Sequence, residues 1–344
     1  METFLGIDYP TLWFLVIGGL FTGYGILDGF DLGAGAWHLF FSDEKSRRIA
    51  LNAVGPVWDG NEVWLVIGGG ALFAGFPVLY GSLFSAMYIP FMLFLAFLIF
   101  RAISIEFRSK EPMKWWRNTW DFSYSLSSTL LAFLLGVVMG NVLQGISTGP
   151  NFEFQGHWLE FINPYSLLVG FTTLALMMMH GAIFLVMKTE GQLYQKVHRM
   201  LWRAIIFFVI AFIVVTVYTL LSIPHLSDRF FNNPWLFVVP VLMFLSIANI
   251  PRLVSKRKFF QSFIFSSLTV SLLLILVAIE LYPVMLISTV DEAYNITVYN
   301  AASSMKSLGI MLTIVAIGTP LVIFYTVFVY NTFRGKVKLD ESSY

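Results

Sequence analysis

Nine long apolar stretches decide what this chain can fold into. A helix needs about 20 apolar residues to cross the hydrocarbon core of a bilayer, so each stretch predicts a transmembrane helix. The stretches are 10–41, 57–79, 82–107, 120–143, 164–187, 201–223, 234–254, 259–282 and 305–333. The alternating segments of about ten residues that are typical of a membrane β-barrel are absent. With 58% hydrophobic and 12% charged residues, the sequence predicts an all-α integral membrane protein.

The basic residues predict how these helices are oriented. With the N-terminus outside, 19 of the 21 Lys and Arg residues fall in loops on the cytoplasmic side, and only Arg229 and Lys306 do not. Positive residues accumulate on that side of membrane proteins. We therefore expect nine transmembrane helices with a cytoplasmic C-terminus. The net charge of +1 gives no indication of nucleic-acid binding.

A weak internal sequence similarity predicts how the helices are grouped. Residues 27–29 (LDG) in the first helix resemble 179–181 (MHG) in the fifth. We expect two four-helix bundles, 1–143 and 164–283, joined by an outer loop at 144–163. Residues 284–344 then hold a second outer loop, the ninth helix and a cytoplasmic tail. The chain has no cysteine, which excludes disulfides, iron–sulfur clusters and thiolate-bound metals.

Four carboxylates lie in the cytoplasmic halves of the first two predicted helices. Asp28 and Asp31 are three residues apart, as are Asp59 and Glu62, so each pair shares a helix face. A charge at a helix centre costs roughly 2.5–3.5 kcal/mol, and such charges persist where they face protein or water. One interpretation is a set of acids near the lipid headgroups, where Asp59 and Glu62 also favour the dipole of their helix. The other is a proton path.

Other polar positions also allow two interpretations. Arg101 follows an unbroken apolar run, so it either reaches to the interface or pairs with a buried carboxylate or a cofactor propionate. Asp121 follows Arg117 by four residues and could be its helix partner. The glycines at 68–70 predict close packing, either by a helix of this chain or by a partner subunit.

Histidine indicates what this chain does not do alone. Of five histidines, only His180 lies well inside a predicted membrane helix. Haem iron in a membrane bundle needs axial ligands from the helices around it, commonly His. One internal histidine cannot hold several haems, and the preferred interpretation of His180 is a hydrogen-bonded core residue rather than a ligand. We expect no metal site in this chain.

Several segments together resemble subunit II of the cytochrome bd quinol oxidases. They are 28–35 (DGFDLGAG), 58–64 (WDGNEVW), 69–74 (GGALFA), 100–101 (FR), 106–110 (EFRSK), 116–121 (WRNTWD) and 140–145 (GNVLQG). Their order and spacing across residues 20–145 are more specific than any one of them. The second half of the chain matches by length, hydropathy and topology only.

The resemblance implies a heterodimer in the bacterial cytoplasmic (inner) membrane. The partner, subunit I, would carry two haems b, one haem d and the quinol-binding loop, and this chain would ligate no haem. The complex would oxidise quinol, reduce oxygen to water and take the protons from the cytoplasm. The sequence leaves open whether a small third subunit is present and whether a structural lipid or quinone is bound.

The resemblance also implies roles for individual residues. Asp59 is expected on the proton path, with Asp28, Asp31 and Glu62 as further members, although relatives often have Gln at the position of Glu62. The residues expected to support the haem region are Asp31, Arg101 and Asp121. Trp64 is expected near an oxygen route.

Two other functions use the same features. A proton-coupled transporter would also need intramembrane acids, together with broken helices and an inverted repeat, and the chain lacks a strong repeat. The other alternative is a purely structural assembly subunit. Haem absorbance in the purified complex would separate the oxidase from both.

Overall fold

The structure is a computed structural model that describes residues 3–4 and 6–339. It is built from helices, which confirms the all-α class. The helices are α1 Tyr9–Trp37, α2 Glu44–Val54, α3 Trp58–Gly75, α4 Pro77–Ala86, α5 Tyr88–Phe107, α6 Lys114–Gln144, α7 Pro164–Lys188, α8 Gly191–Ser222, α9 His225–Asn232, α10 Val238–Ser255, α11 Phe259–Glu280 and α12 Met305–Thr332. Two short antiparallel hairpins pair Thr3–Phe4 with Ile7–Asp8 and Val284–Leu286 with Ile296–Thr297.

The long helices make the chain a multi-pass membrane protein. Within the described ranges, eight helices are long and apolar enough to cross a bilayer: α1, α5, α6, α7, α8, α10 with the turn before it, α11 and α12. A ninth candidate is the pair α3 and α4, which is bent by 117° at the break between them. The orientation in the membrane and the division into two four-helix bundles stay predictions.

The predicted boundary between the second and third helices is wrong. We expected one helix over 57–79 and the next from Ser82. Instead α3 ends at Gly75, and α4 runs from Pro77 through this boundary to Ala86. The reason is local, because a residue before proline is driven out of the helical region. Phe76 accordingly has φ −131° and ψ 66°.

Two helices were missed because the prediction relied on long apolar runs. The segments α2 and α9 are short and amphipathic, with 11 and 8 residues. Asp43 caps α2 by accepting a hydrogen bond from the amide of Ser46 at 2.9 Å. Hydrogen bonding to Ser46 lowers the pKa of the Asp43 carboxyl, so the cap is ionised at neutral pH. The helices α6 and α8 also begin earlier than predicted, at Lys114 and Gly191 rather than at residues 120 and 201. Their first turns contain polar residues, so the search for apolar runs missed them.

The helices α1 and α7 cross at the centre of the fold. A Cβ atom on Gly33 would lie 1.8 Å from the carbonyl oxygen of Met177, and one on Gly181 would lie 2.4 Å from the amide nitrogen of Ala34. Only glycine permits this approach of the two backbones. The crossing joins α1 of the predicted first half to α7 of the second. The helices α3, α6 and α11 also pack against α1.

The orientation can be measured directly with reporters. A reporter fused to the C-terminus should report the cytoplasm, and one inserted near Asn151, between α6 and α7, should report the outside. This follows from the distribution of the 21 basic residues. Two reporters on the same side of the membrane would contradict the predicted topology.

Candidate functional site

A buried arginine–aspartate pair joins α5 to α1. Arg101 and Asp28 are both fully buried. The Nη1 atom of Arg101 donates to Oδ2 of Asp28 at 2.9 Å, and Nη2 donates to Oδ1. Oε2 of Glu62 lies 3.6 Å from Nη1. Arg101 therefore does not reach to the interface, and its pairing with a buried carboxylate is confirmed.

A second buried carboxylate begins a chain of hydrogen bonds that links three helices. Asp31 is fully buried on α1. Its Oδ2 atom accepts a hydrogen bond from Nδ2 of Asn61 on α3 at 2.7 Å, and Oδ1 of Asn61 accepts one from the Tyr330 hydroxyl on α12 at 2.9 Å. The Oδ1 atom of Asp31 has no hydrogen-bond partner in the described part of the chain. This oxygen could therefore accept a hydrogen bond from a water molecule or take up a proton.

The four predicted acids differ in depth. Asp59, in the first turn of α3, is exposed. The Glu62 side chain, one turn further along, is 19% exposed. Asp28 and Asp31 are 0% exposed. The headgroup interpretation is therefore wrong for Asp28 and Asp31, whereas the exposed position of Asp59 fits both a helix-dipole role and the entrance to a path.

A separate cluster of charges surrounds Asp121. Oδ1 of Asp121 lies 2.5 Å from Nε2 of His38 and 2.5 Å from Nε of Arg108. Oδ2 lies 3.0 Å from Nη1 of Arg47. Arg108 also contacts Glu44 on α2, with 3.0 Å between Nη2 and Oε2. This cluster attaches α2 to the ends of α1, α5 and α6.

Two expectations about Asp121 change with this geometry. It is not the helix partner of Arg117, because the Arg117 guanidinium instead donates to Oε1 of Glu44 at 3.2 Å. Asp121 also lies in a different network from Arg101, whose carboxylate partners are Asp28 and Glu62. The difference in burial explains why Asp121 does not pair with Arg117. Asp121 is 1% exposed, whereas Arg117 is 33% exposed and lies nearer the surface.

Trp64 packs over α1. A Cβ atom on Gly23 would lie 2.4 Å from the Trp64 ring, so the indole fits there only because residue 23 is glycine. The side chain is half-buried and lies two residues beyond Glu62. The oxygen route near Trp64 stays a prediction.

The three glycines of α3 differ in what lies beside them. Gly68 is buried against the ring of Phe21, 3.1 Å from where its Cβ would lie. Gly69 and Gly70 would meet no atom within 4 Å. The first is a contact within this chain, and the other two leave a smooth strip on the surface of α3.

His180 does not fit an axial ligand. Its Nδ1 atom lies 2.7 Å from the Ser266 hydroxyl and its Nε2 atom 3.0 Å from the carbonyl of Ile26. The ring stacks on Phe263 at 4.7 Å between centroids. With both ring nitrogens occupied, His180 is a hydrogen-bonded core histidine as predicted. Over residues 3–4 and 6–339, no group of three or more His, Asp or Glu side chains could hold a metal ion.

Several residues of the two networks were not predicted from the sequence. Asn61 stands beside the acids in the segment 58–64, which was a usable signal. His38, Arg47 and Arg108 were considered only as residues at helix ends or in loops, because their partners are distant in sequence. Tyr330 lies 269 residues from Asn61, and nothing in the sequence pattern links the two.

Comparisons with known proteins agree along nearly the whole chain. The sequence model of the family "Cytochrome bd terminal oxidase subunit II" matches residues 9–333. The cytochrome bd ubiquinol oxidase subunit 2 of Bacillus subtilis is 32% identical over 332 residues, covering 96% of this chain and 97% of that protein. The cytochrome bd-I ubiquinol oxidase subunit 2 of Escherichia coli K12 is 29% identical over 373 residues, covering 97% of each.

The fold has a solved counterpart. A chain of the bd oxidase from Geobacillus thermodenitrificans superposes with a TM-score of 0.76, covering 94% of this chain and 98% of that one. The sequences are 18% identical, so this likeness concerns the fold. Because the family match and the Bacillus subtilis relative both extend over almost the entire sequence, the chain belongs to the family of subunit II of the cytochrome bd terminal oxidases and is one subunit of a respiratory oxidoreductase.

Proposed function

We propose that this chain supplies cytoplasmic protons to a haem-bearing partner subunit that oxidises quinol and reduces oxygen to water. The observation that carries the proposal is the arrangement of the acids, from exposed Asp59 through partly buried Glu62 to fully buried Asp31. Carboxyl groups held in a membrane protein are suited to pass protons to bound water and to each other. The names of the curated relatives support the reaction.

The two buried aspartates have different parts in this proposal. Asp28 accepts hydrogen bonds from both terminal nitrogens of Arg101, the two-point geometry typical of an arginine–carboxylate pair. In this proposal Asp28 holds Arg101 beside Glu62 and contributes to the electrostatic field around the other acids. Asp31 accepts one hydrogen bond and keeps an unpartnered oxygen, so it is the buried group best placed to take up and release a proton.

The partner subunit holds the haems in this proposal. Haems b and d would supply the electron transfer and the oxygen chemistry there, and no step is assigned to a haem in this chain. The networks of Arg101 and Asp121 support the end of the bundle near the haems by fixing α1, α5 and α6. Trp64 borders the oxygen route. The open strip at Gly69 and Gly70 on α3 lets the partner approach closely.

Removing the charge of Asp59 tests the entrance of the path. Asp59→Asn keeps the shape of the side chain but cannot exchange a proton at neutral pH. We expect steady-state oxygen reduction to fall by on the order of 10²-fold, with haem content and quinol binding unchanged. Asp59→Glu should keep more activity than Asp59→Asn. Oxygen consumption by the purified complex provides the measurement.

A matched control separates this effect from a loss of surface charge. Glu111 is also exposed and lies between α5 and α6, so Glu111→Gln should leave turnover intact. If Asp59 only stabilises the dipole of α3, Asp59→Asn would cost about 0.3–1 kcal/mol of stability at full turnover. Full turnover in Asp59→Asn would favour the second candidate function, in which this chain is a structural assembly subunit.

Expression without the partner tests the assignment of the haems. The chain alone should bind no stoichiometric haem, because both ring nitrogens of His180 are already hydrogen-bonded. Co-expression with the haem-bearing subunit should restore the absorbance of haems b and d. An isolated chain with stoichiometric haem, whose spectrum changes in His180→Leu, would refute the assignment.

A further inference from the structure

The hairpin of α10 and α11 carries concentrated positive charge at its turn, which contains no acidic residue of its own. Arg252, Lys256, Arg257 and Lys258 lie at the turn between the two helices. The sequence has no Asp or Glu between Asp228 and Glu280. Among the residues that the structure describes, none of these four cations forms an ion pair. The described residues therefore leave this end of the hairpin with a net positive charge, which attracts anions.

Three of these cations line a groove between the two helices. The groove has a volume of about 380 Å³, and its polar lining consists of Arg252, Lys256, Lys258, Asn249 and Gln261. Nη1 of Arg252 makes a long contact of 3.4 Å with Oδ1 of Asn249. Within residues 3–4 and 6–339, the Nζ atoms of Lys256 and Lys258 donate no hydrogen bond. Three positive groups with two amides form a donor set that matches the oxygens of a phosphate.

The start of α11 adds to the positive potential of the groove. The first amides of a helix have no intrahelical acceptor, and the N-cap residue Lys258 provides no side-chain cap. The positive end of the helix dipole lies at this first turn, where Lys258 and Gln261 line the groove.

Apolar side chains continue from the groove along the helices. Ile264 and Phe265 line it beside the cations, and Ile264 is 48% exposed. Leu268, one turn further along α11, is 41% exposed. Because α10 and α11 are both candidate membrane spans, these exposed apolar side chains suit a lipid environment. A charged groove that opens onto an apolar face fits a molecule with an anionic head and a hydrocarbon tail better than free phosphate.

We propose that the groove between α10 and α11 binds the phosphate of an anionic phospholipid. Arg252, Lys256 and Lys258 hold the headgroup, and an acyl chain lies along Ile264 and Leu268. Basic pockets between membrane helices bind anionic headgroups in this way. The charge distribution predicts that the lipid belongs to the cytoplasmic leaflet.

Lipid binding to the purified, delipidated complex tests the proposal. Phosphatidylglycerol is titrated into the complex in detergent, and the bound lipid is counted by native mass spectrometry. The triple variant Arg252→Gln, Lys256→Gln, Lys258→Gln should bind phosphatidylglycerol at this site at least about tenfold more weakly than wild type. The matched control, Lys45→Gln, Lys110→Gln, Lys114→Gln, removes three exposed charges elsewhere and should bind as wild type does.

Two further arms make the test decisive. The zwitterionic lipid phosphatidylcholine should bind wild type and the triple variant alike and more weakly than phosphatidylglycerol binds wild type. Millimolar inorganic phosphate should not displace phosphatidylglycerol, and displacement would show that the groove takes free phosphate instead. Equal phosphatidylglycerol binding by wild type and the triple variant would overturn the proposal. If the triple variant does not assemble, Arg252→Gln alone should still weaken phosphatidylglycerol binding, and an unchanged affinity would overturn the proposal equally.

Discussion

A complex with Arg101→Leu is expected to lose about 3–5 kcal/mol of stability, because breaking a buried ion pair leaves the other charge without its partner. The guanidinium of Arg101 holds Asp28 through two hydrogen bonds and lies 3.6 Å from Glu62. Its removal leaves the Asp28 carboxylate unpaired inside the bundle of α1, α3 and α5. The loss should appear as a large fall in the temperature at which the detergent-solubilised complex loses its haem absorbance.

The double variant Arg101→Leu, Asp28→Leu provides the internal check. It removes both charges, and replacing a buried pair by apolar side chains is often close to neutral. We expect it to recover most of the lost stability. Arg203 on α8 is exposed, so Arg203→Leu should change stability by no more than about 0.5 kcal/mol. If Arg101→Leu were as stable as wild type, the buried pair would not hold the helices together as described.

Asp31→Asn is expected to reduce oxygen reduction by on the order of 10²-fold while leaving the fold intact. The amide oxygen of an asparagine can still accept the hydrogen bond that Nδ2 of Asn61 donates at 2.7 Å. The chain from α1 through Asn61 to Tyr330 therefore survives, and only the exchangeable proton is lost. Turnover is measured on complexes matched for haem absorbance and melting temperature.

A buried substitution away from the acids controls for general disturbance. Thr269 on α11 is fully buried and its hydroxyl lies 3.0 Å from that of Ser246 on α10. Thr269→Val removes this hydrogen bond without touching the proposed path, and turnover should stay at the wild-type level. An Asp31→Asn complex with wild-type turnover would exclude Asp31 from proton transfer.

The sequence predicted the membrane class because apolar length and charge distribution are properties of the chain itself. The same reasoning missed the break after Gly75, although Pro77 was a local signal for it. It also missed α2, whose pattern is amphipathic rather than apolar. The crossing of α1 and α7 depends on Gly33 and Gly181 meeting in space, and sequence spacing alone cannot predict such a meeting.

The acids of the site were found because a charge inside an apolar run is conspicuous. Their partners were harder to find, because contacts between helices need the fold. The partner of Arg101 lies 73 residues away on α1, and His38 lies 83 residues from Asp121. Asp121 also had a possible partner close in sequence, Arg117. Its burial instead places it against partners from other helices. Tyr330 and Asn61 show how a helix near the end of the chain completes a network that begins near its start.

The central claim is that protons for oxygen reduction pass through the carboxyl groups of this chain. The most direct measurement is proton uptake by the fully reduced complex during a single reaction with oxygen, followed with a pH-indicating dye. In Asp31→Asn complexes with a full haem complement, we predict that proton uptake slows together with oxygen reduction, by the same factor. Proton uptake at the wild-type rate in this variant, and equally in Asp59→Asn, would contradict the account.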